Sequence, residues 1–460
     1  MTTINGEVSF WWRTLGGAPK PRPALAGSTD ADVCIIGAGY TGLWTAYYLK
    51  TLQPDLRIVM LEQRFAGFGA SGRNGGWLTN SVTGGRARYA KTHGRDAAVA
   101  QQLALNEAVD EVIAVTGREG IRADIVKGGE RTVARNAAQL ARLRAMLVSE
   151  AKWPHTDWQA RNGPETASQL KVAGAIASAW HPHCARIHPG KLVSGLAATV
   201  ERLGVVIHED TRVTEIQPGL AITDRGTVRA DAVIRATEGF TADLRDQHRT
   251  WLPMNSSMIV THPLPAAVWE QIGWDGRETL GDLAHVYMYA QRTADDRIAF
   301  GGRGVPYRYG SRVDSDGRTQ RRTIASLTKL LREFFPAAAD VPIDHAWAGV
   351  LGVPRDWSAS VSWDRIRGLG HAGGYVGTGV TATNLAGRTL ADLVLGNDTE
   401  RVRLPWVNHR AKKWEPEPLR WTAVQAIYTA YGLADDLERS GRSNQDAWPA
   451  RIADAIAGEH

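Results

Sequence analysis

Two cysteines in 460 residues, Cys34 and Cys184, exclude a disulfide-built scaffold and fit a reducing compartment. No apolar run reaches the roughly 18 residues needed to span a bilayer. The opening segment "MTTINGEVSFWWRTLGGAPKPRPALAGS" has no basic stretch followed by a long apolar one, so the reading is of a cytoplasmic protein without a secretory signal. A dominant charge sign is also missing. The 54 basic and 48 acidic residues leave a net charge of +6, and the two signs interleave in "DLRDQHR" and "DDLERSGR". Without a recognisable nucleic-acid module, that scatter argues against a nucleic-acid partner. It is compatible with an anionic cofactor or substrate. Internal repeats and low-complexity segments are absent.

What the chain does have is glycine placed between a greasy run and an amphipathic one. In "ADVCIIGAGYTGLWTAYYL", residues 33–36 read as a short buried strand, and 43–49 as a helix with Leu43, Ala46 and Tyr47 on one face. Gly37, Gly39 and Gly42 form a G-x-G-x-x-G turn between them. Such a turn lets the backbone approach a pyrophosphate at a helix N-terminus. Glu62 ends the second strand, "LRIVMLE", twenty residues after Gly42, where a carboxylate can accept both ribose hydroxyls. A dinucleotide is therefore expected. The loop that follows, "QRFAGFGASGRNGG", can wrap a long dinucleotide and turn backbone N–H groups toward its phosphates.

At this length two domains are the default. Residues 1–28 read as an extended lead-in whose "SFWW" packs on the body. Helices are expected at 95–116 and 136–150, and both are assigned to an inserted second domain because neither carries nucleotide-type glycines. Residues 188–245 return to α/β character, with a helix in "HPGKLVSGLAATVERLG". Residues 255–305 alternate like strands, most clearly in "HVYMYAQ". There the period of two puts His285, Tyr287 and Tyr289 on one face, and Val286 and Met288 on the other. "GGYVGTGVTATNLAGRTLADLVLG" repeats the strand, glycine turn and helix near residue 375, and a polar helical tail follows from 397. "HPHCARIH" gathers His181, His183, Cys184 and His188, but its spacing matches no metal site, and no metal is expected.

These stretches, in this order, resemble the D-amino-acid-oxidase-like superfamily of FAD-dependent oxidoreductases. The likeness is nearest to the bacterial gamma-glutamylputrescine oxidase type of amine oxidases. It is carried by "SFWW", the first βαβ unit, "GASGRNGG", "ARIHPGKLV", "ADAVIRATEGFT", "RIAFGGRG", "WAGVLGVPRDW", "GGYVGTGVTATNLAGRTLADL" and "PEPLRW". The implied fold class is α/β and α+β: a Rossmann-type, glutathione-reductase-like FAD-binding domain with an interleaved antiparallel-sheet substrate domain. The implied boundaries are 29–90, 185–250 and 340–400 for the discontinuous FAD domain, 91–184 and 251–339 for the substrate domain, and 401–460 for the tail.

The resemblance also implies residue roles. Gly37, Gly39, Tyr40 and Gly42 would cradle the FAD pyrophosphate, and Glu62, Gln63 and Arg64 would lie at the adenosine ribose. The loop of Ala70, Ser71, Arg73, Asn74, Gly75 and Gly76 would run along the phosphates toward the flavin. Val213 would pair its backbone with adenine, and Thr237 would meet the cofactor where the chain crosses it again. Gly374, Gly377, Gly379, Val380 and Thr381 would present backbone donors to the flavin ring. His285, Tyr287, Tyr289, Arg303, Trp347 and Trp77 would line the substrate side, with Arg303 a candidate for a substrate carboxylate. Glu238 stands where many relatives have Asn. Relatives with covalent flavin use a cysteine before the final glycine motif or a histidine after the first βαβ unit; this chain has neither there, so non-covalent FAD is expected.

The activity implied is oxidation of an amine C–N bond to an imine by hydride transfer to flavin N5, with O2 or another acceptor reoxidising the flavin. The alternatives are an amino-acid or N-methylamino-acid oxidase or dehydrogenase, an NAD(P)H-dependent flavin monooxygenase, and a non-catalytic flavin-binding subunit.

Overall fold

The computed structural model describes residues 3–302, 304, 306–313 and 316–457. Arg303, expected on the substrate side, lies outside the described residues. Two large sheets organise the chain. In the first, Thr29–Ile36 runs between Ile58–Leu61 and Thr227–Arg235, parallel to both, with Ile35 opposite Met60 and Ile234. Val206–His208 extends it beyond Ile58–Leu61, and Leu369–Gly373 pairs in parallel with the end of Thr227–Arg235. Strands buried on both faces read as unbroken apolar runs, which is why "VCII" and "IVML" were legible.

Helices Tyr40–Leu52 and Gly379–Leu395 pack against each other on one face of this sheet. They meet at Gly387, where an added Cβ would stand 2.7 Å from Trp44 Cβ and 2.8 Å from the Thr45 nitrogen. Asn384 Nδ2 donates to the Tyr48 hydroxyl at 2.9 Å across the same contact. The long helix Arg95–Arg118, expected in the inserted lobe, instead puts Leu105, Val109, Val112 and Val115 into this same core. Its apolar stripe at steps of three and four decides the matter, because glycine content does not report where a helix packs.

Among the described residues the second sheet has nine strands. In spatial order they are Ile4–Asn5, Ile343–Val353, Leu252–Thr261, Ile298–Gly302, Met288–Arg292, Thr279–Asp282, Glu130–Ala134, Ala177–His181 and Gln159–Asn162. Its pairings are antiparallel except at Ile4–Asn5 with Ile343–Val353, and at Thr279–Asp282 with Glu130–Ala134. Helix Arg321–Phe334 covers one face with Leu327, Leu331 and Phe334, which pack with Met288 and Phe300. Across the sheet, Thr132, Gly281, Tyr289, Gly301 and Met258 form one register row over five strands.

"HVYMYAQ" is strand only from Met288 on, so the expected three-residue face does not form. The Asp435 carboxylate takes the N–H groups of His285 and Val286 at 2.8 and 2.9 Å and holds both in a turn. His285 then faces the C-terminal helix Leu419–Arg439. Its Nε2 is 3.0 Å from Glu438 Oε1, and its ring stacks on Tyr431. His285, Asp435 and Glu438 have metal-ligand proximity, but Arg142 already fills the cluster, 2.9 Å from His285 Nε2 and 2.7 Å from Glu438 Oε2.

Glu238, at φ +40, ties the crossing after Thr227–Arg235 to the turn before helix Gly379–Leu395. Its carboxylate accepts from the Tyr375 and Gly374 nitrogens at 3.1 and 3.3 Å. Burial pushes its pKa up from 4.5 to about 7, against those amides and Arg235. The folded chain thus binds this proton more tightly than the unfolded one. Its contribution is full below about pH 4.5 and is lost as pH rises toward 7. Between pH 5 and 8 the melting temperature of the wild type is expected to fall more than that of Glu238→Gln; parallel changes in thermal melts contradict this. Gly387→Val, which overpacks the helix contact, is expected to cost about 1–3 kcal/mol in denaturant unfolding.

Candidate active site

A cleft of about 450 Å³ opens between the first glycine turn and the second sheet. Its first wall is built by steric necessity. Gly37 has φ +102, and a Cβ there would lie 2.5 Å from the Ala236 carbonyl oxygen; a Cβ at Gly39 would lie 2.9 Å from Ser71 Oγ. Gly42 does not line the cleft. A Cβ there would strike the Gly37 carbonyl at 2.0 Å and press on Ile35 and Met60, so it serves helix-to-strand packing.

Two helix N-termini face this space, neither capped by the side chain of its own N-cap residue: Tyr40–Leu52, with Gly39 at the cap, and Gly379–Leu395, with Thr378. The partial positive charge and the N–H groups of a first turn attract anions and electron-rich edges. Glu62 sits at the end of its strand, its oxygens accepting from Ala38 N at 2.9 Å and Arg64 N at 3.0 Å. Burial raises its pKa against those amides. Tyr40, Gln63 and Arg64 line the cleft beside it, and Val213 and Thr237 line it from the next crossings.

The loop of Ala70, Ser71, Arg73, Asn74 and Gly75 forms the floor. Ser71 Oγ accepts from the Tyr40 nitrogen at 2.8 Å, linking loop and helix. Three consecutive carbonyls are held from outside: Gly72 by Ser9 Oγ at 2.7 Å, Arg73 by Trp347 Nε1 at 2.8 Å and Asn74 by Trp11 Nε1 at 2.8 Å. Trp347, expected in the pocket, is fully buried behind this loop, packed with Phe10 and Trp11; its indole spends its one donor on the loop. Gly76 lies outside the cleft lining, since a Cβ there would meet Gln291 Nε2 at 2.0 Å. At the other glycine turn Gly377, Gly379 and Val380 line the cleft, while Gly374 packs on Pro354 and Thr381 is buried inside the helix.

The end toward the second sheet is walled by Trp77 and Tyr289, whose rings meet edge to face at 6.3 Å. The Tyr289 ring fits because its neighbours are glycines: a Cβ at Gly301 would be 2.2 Å away and one at Gly75 2.7 Å away. Its hydroxyl is 2.8 Å from Ser256 Oγ. Tyr287 lines the same end and is 41% exposed. His285 does not line the cleft, for the reason given above. Among the described residues the buried Trp77 indole N–H has no partner, and the cleft it borders offers two helix N-termini and a glycine cradle. That donor set fits a dinucleotide with an electron-rich ring.

The sequence reading missed Glu130, Thr132, Thr79 and Asp282, which line the second-sheet end. A signal existed in "GGERTV", where a lone acid opens a short apolar strand after two glycines, but only the sheet register brings it here. The histidine group divides among separate partners. His181 is 3.4 Å from Glu130, and His183 is 2.6 Å from Asp157. Cys184 Sγ lies 3.3 Å from Thr279 Oγ1. His188 caps helix Pro189–Arg202 by accepting from the Lys191 nitrogen, and burial pushes its pKa down to about 4.

Comparison with known proteins matches this geometry. Gamma-glutamylputrescine oxidoreductase of Escherichia coli (strain K12) is 31% identical over 405 residues, 86% of this chain and 90% of that protein. Sarcosine oxidase subunit beta of Rhodobacter capsulatus is 22% identical over 403 residues, 83% and 88% of the two chains. The crystal structure of glycine oxidase from Geobacillus kaustophilus superposes with a TM-score of 0.70 at 18% identity, covering 83% of this chain and 99% of that one. The model of the DAO family, FAD dependent oxidoreductases, matches residues 32–393. The match over residues 32–393 and the 31% identity over most of both chains show that the chain belongs to the DAO family of FAD-dependent oxidoreductases.

Proposed function

We propose that the protein oxidises an amine C–N bond to an imine, with non-covalently bound FAD accepting the hydride and dioxygen reoxidising it to give hydrogen peroxide. The observation that carries this reading is a single cleft joining the dinucleotide-type turn to an aromatic end. Gly37, Gly39, Ser71 and Glu62 would hold the pyrophosphate and ribose, Val213 and Thr237 the adenosine side, and Gly377, Gly379 and Val380 the ring edge. Trp77 and Tyr289 exclude water from the reacting end. Such desolvation disfavours an ammonium ion and yields the neutral amine that can give up a hydride, and positioning supplies much of the rate. Among the described residues the cations lining the cleft are Arg64 and Arg73, both on the loop after Glu62. That distribution favours an amine over an amino acid, whose carboxylate calls for a cation at the aromatic end.

Non-covalent attachment is supported by the thiols and imidazoles. Cys34 is buried within Thr29–Ile36, Cys184 is buried beside Thr279, and no described cysteine or histidine lines the cleft. The E. coli relative's name supports an amine as the substrate.

Anaerobic addition of primary or secondary amines to the purified holoenzyme is expected to bleach the visible flavin band. Bleaching by NADPH alone, or by amino acids and not amines, overturns the reading. Acid precipitation is expected to leave the yellow colour in the supernatant. Trp347→Phe removes the donor to the Arg73 carbonyl and leaves a buried acceptor unpaired. It should cost about 1–3 kcal/mol of stability and lower the flavin content of the isolated protein, read by absorbance ratio.

A further inference from the structure

The geometry points to Glu130 as the binding group for a second, non-reacting ammonium of the substrate, which makes the substrate class a diamine. This inference rests on the amine-oxidase reading above. Glu130 opens the strand Glu130–Ala134 and pairs across the sheet with His181. Its two donors fall on one oxygen: Thr79 Oγ1 donates to Oε2 at 2.7 Å, and His181 Nε2 stands 3.4 Å from the same atom. His181 is fixed in that role, because its Nδ1 accepts from the His183 nitrogen at 3.2 Å and its ring packs on Trp158. Oε1 accepts nothing from any described residue, and the side chain lines the cleft.

The carboxylate is kept charged. Burial pushes its pKa up, but hydrogen bonding to His181 and the Thr79 hydroxyl opposes this, and the net direction is below the ordinary value. Asp282, the other carboxyl at this end, is different. Its Oδ1 accepts from the Met288 nitrogen at 2.9 Å, and burial pushes its pKa up to about 7. Glu130 is thus the group at this end that stays ionised with an open oxygen.

An ionised carboxylate favours the charged form of whatever ammonium it binds. Hydride loss requires a neutral amine, so the nitrogen held at Glu130 is not the one oxidised. The substrate then carries two amino nitrogens, one at Glu130 and one at the reacting position. Trp77, two residues before Thr79 on the same strand face, adds an aromatic surface suited to a cation.

Three probes of one shape and different charge test the site in the holoenzyme by calorimetry: tert-butylammonium, pivalate and tert-butanol. None has an α-C–H on a C–N bond, so binding is read apart from oxidation. Tert-butylammonium is expected to bind tightest. Glu130→Gln should weaken it about tenfold or more with tert-butanol affinity and flavin content unchanged, while Glu130→Asp retains part of the affinity. Tighter binding of pivalate, or an unchanged affinity in Glu130→Gln, overturns the proposal. In anaerobic flavin reduction, 1,3- to 1,6-diaminoalkanes are expected to exceed the matching alkylamines about tenfold or more in kcat/KM, and Glu130→Gln to abolish that preference mainly through KM. Equal use of diamines and monoamines by the wild type also overturns it. If no amine reduces the flavin yet tert-butylammonium binding depends on Glu130, the oxidase reading fails and the cation site stands.

Discussion

Three adjacent carbonyls on a glycine-rich loop, each gripped from behind, are the constraint on which the site depends. A chain of the composition "GFGASGRNGG" has high conformational freedom, and fixing it costs entropy residue by residue. Buried carbonyls also demand partners. Ser9 and Trp11 from the lead-in, together with Trp347 from the second sheet, supply them at Gly72, Asn74 and Arg73. The loop belongs to the first sheet's crossover but is fastened by elements outside it. The lead-in, which does not line the cleft, and the second sheet, which does, are therefore both needed to hold this loop in place.

A second constraint is the close approach of two helices at Gly387. It brings both helix N-termini to one cleft, so their partial charges act on the same space. Glu238 completes the arrangement by fastening the turn before the second helix to the crossing after the first sheet's central strands. A carboxylate in that position costs desolvation, and its raised pKa is the sign of that cost.

The site's acidic chemistry is graded by hydrogen bonding. Glu62 and Glu238 are tied to backbone amides, and Asp282 is tied to the turn that follows it. Glu130 keeps one oxygen open because both of its donors share the other. The C-terminal helix acts at a distance from this chemistry. Asp435 and Glu438 pin the turn at His285 and Val286, and so set where Tyr287 enters the mouth of the cleft.

Sequence alone determined what short-range physics encodes. The buried parallel strands are continuous apolar runs, the glycine turns sit where a backbone must come close, and the acidic residue falls at the second strand's end. Gly37, Gly39, Glu62 and the loop after it were legible for that reason. The tertiary structure decided what depends on side-chain competition between distant segments. The first three residues of "HVYMYAQ" left the strand, two of them with their N–H groups taken by a carboxylate about 150 positions away. Trp347 turned to the loop carbonyl, and the helix Arg95–Arg118 chose the first core. Glu130 became a cleft residue through register with His181 and Thr279. Local pattern fixes the face a residue prefers, but which partner occupies that face is settled only when the whole chain has packed.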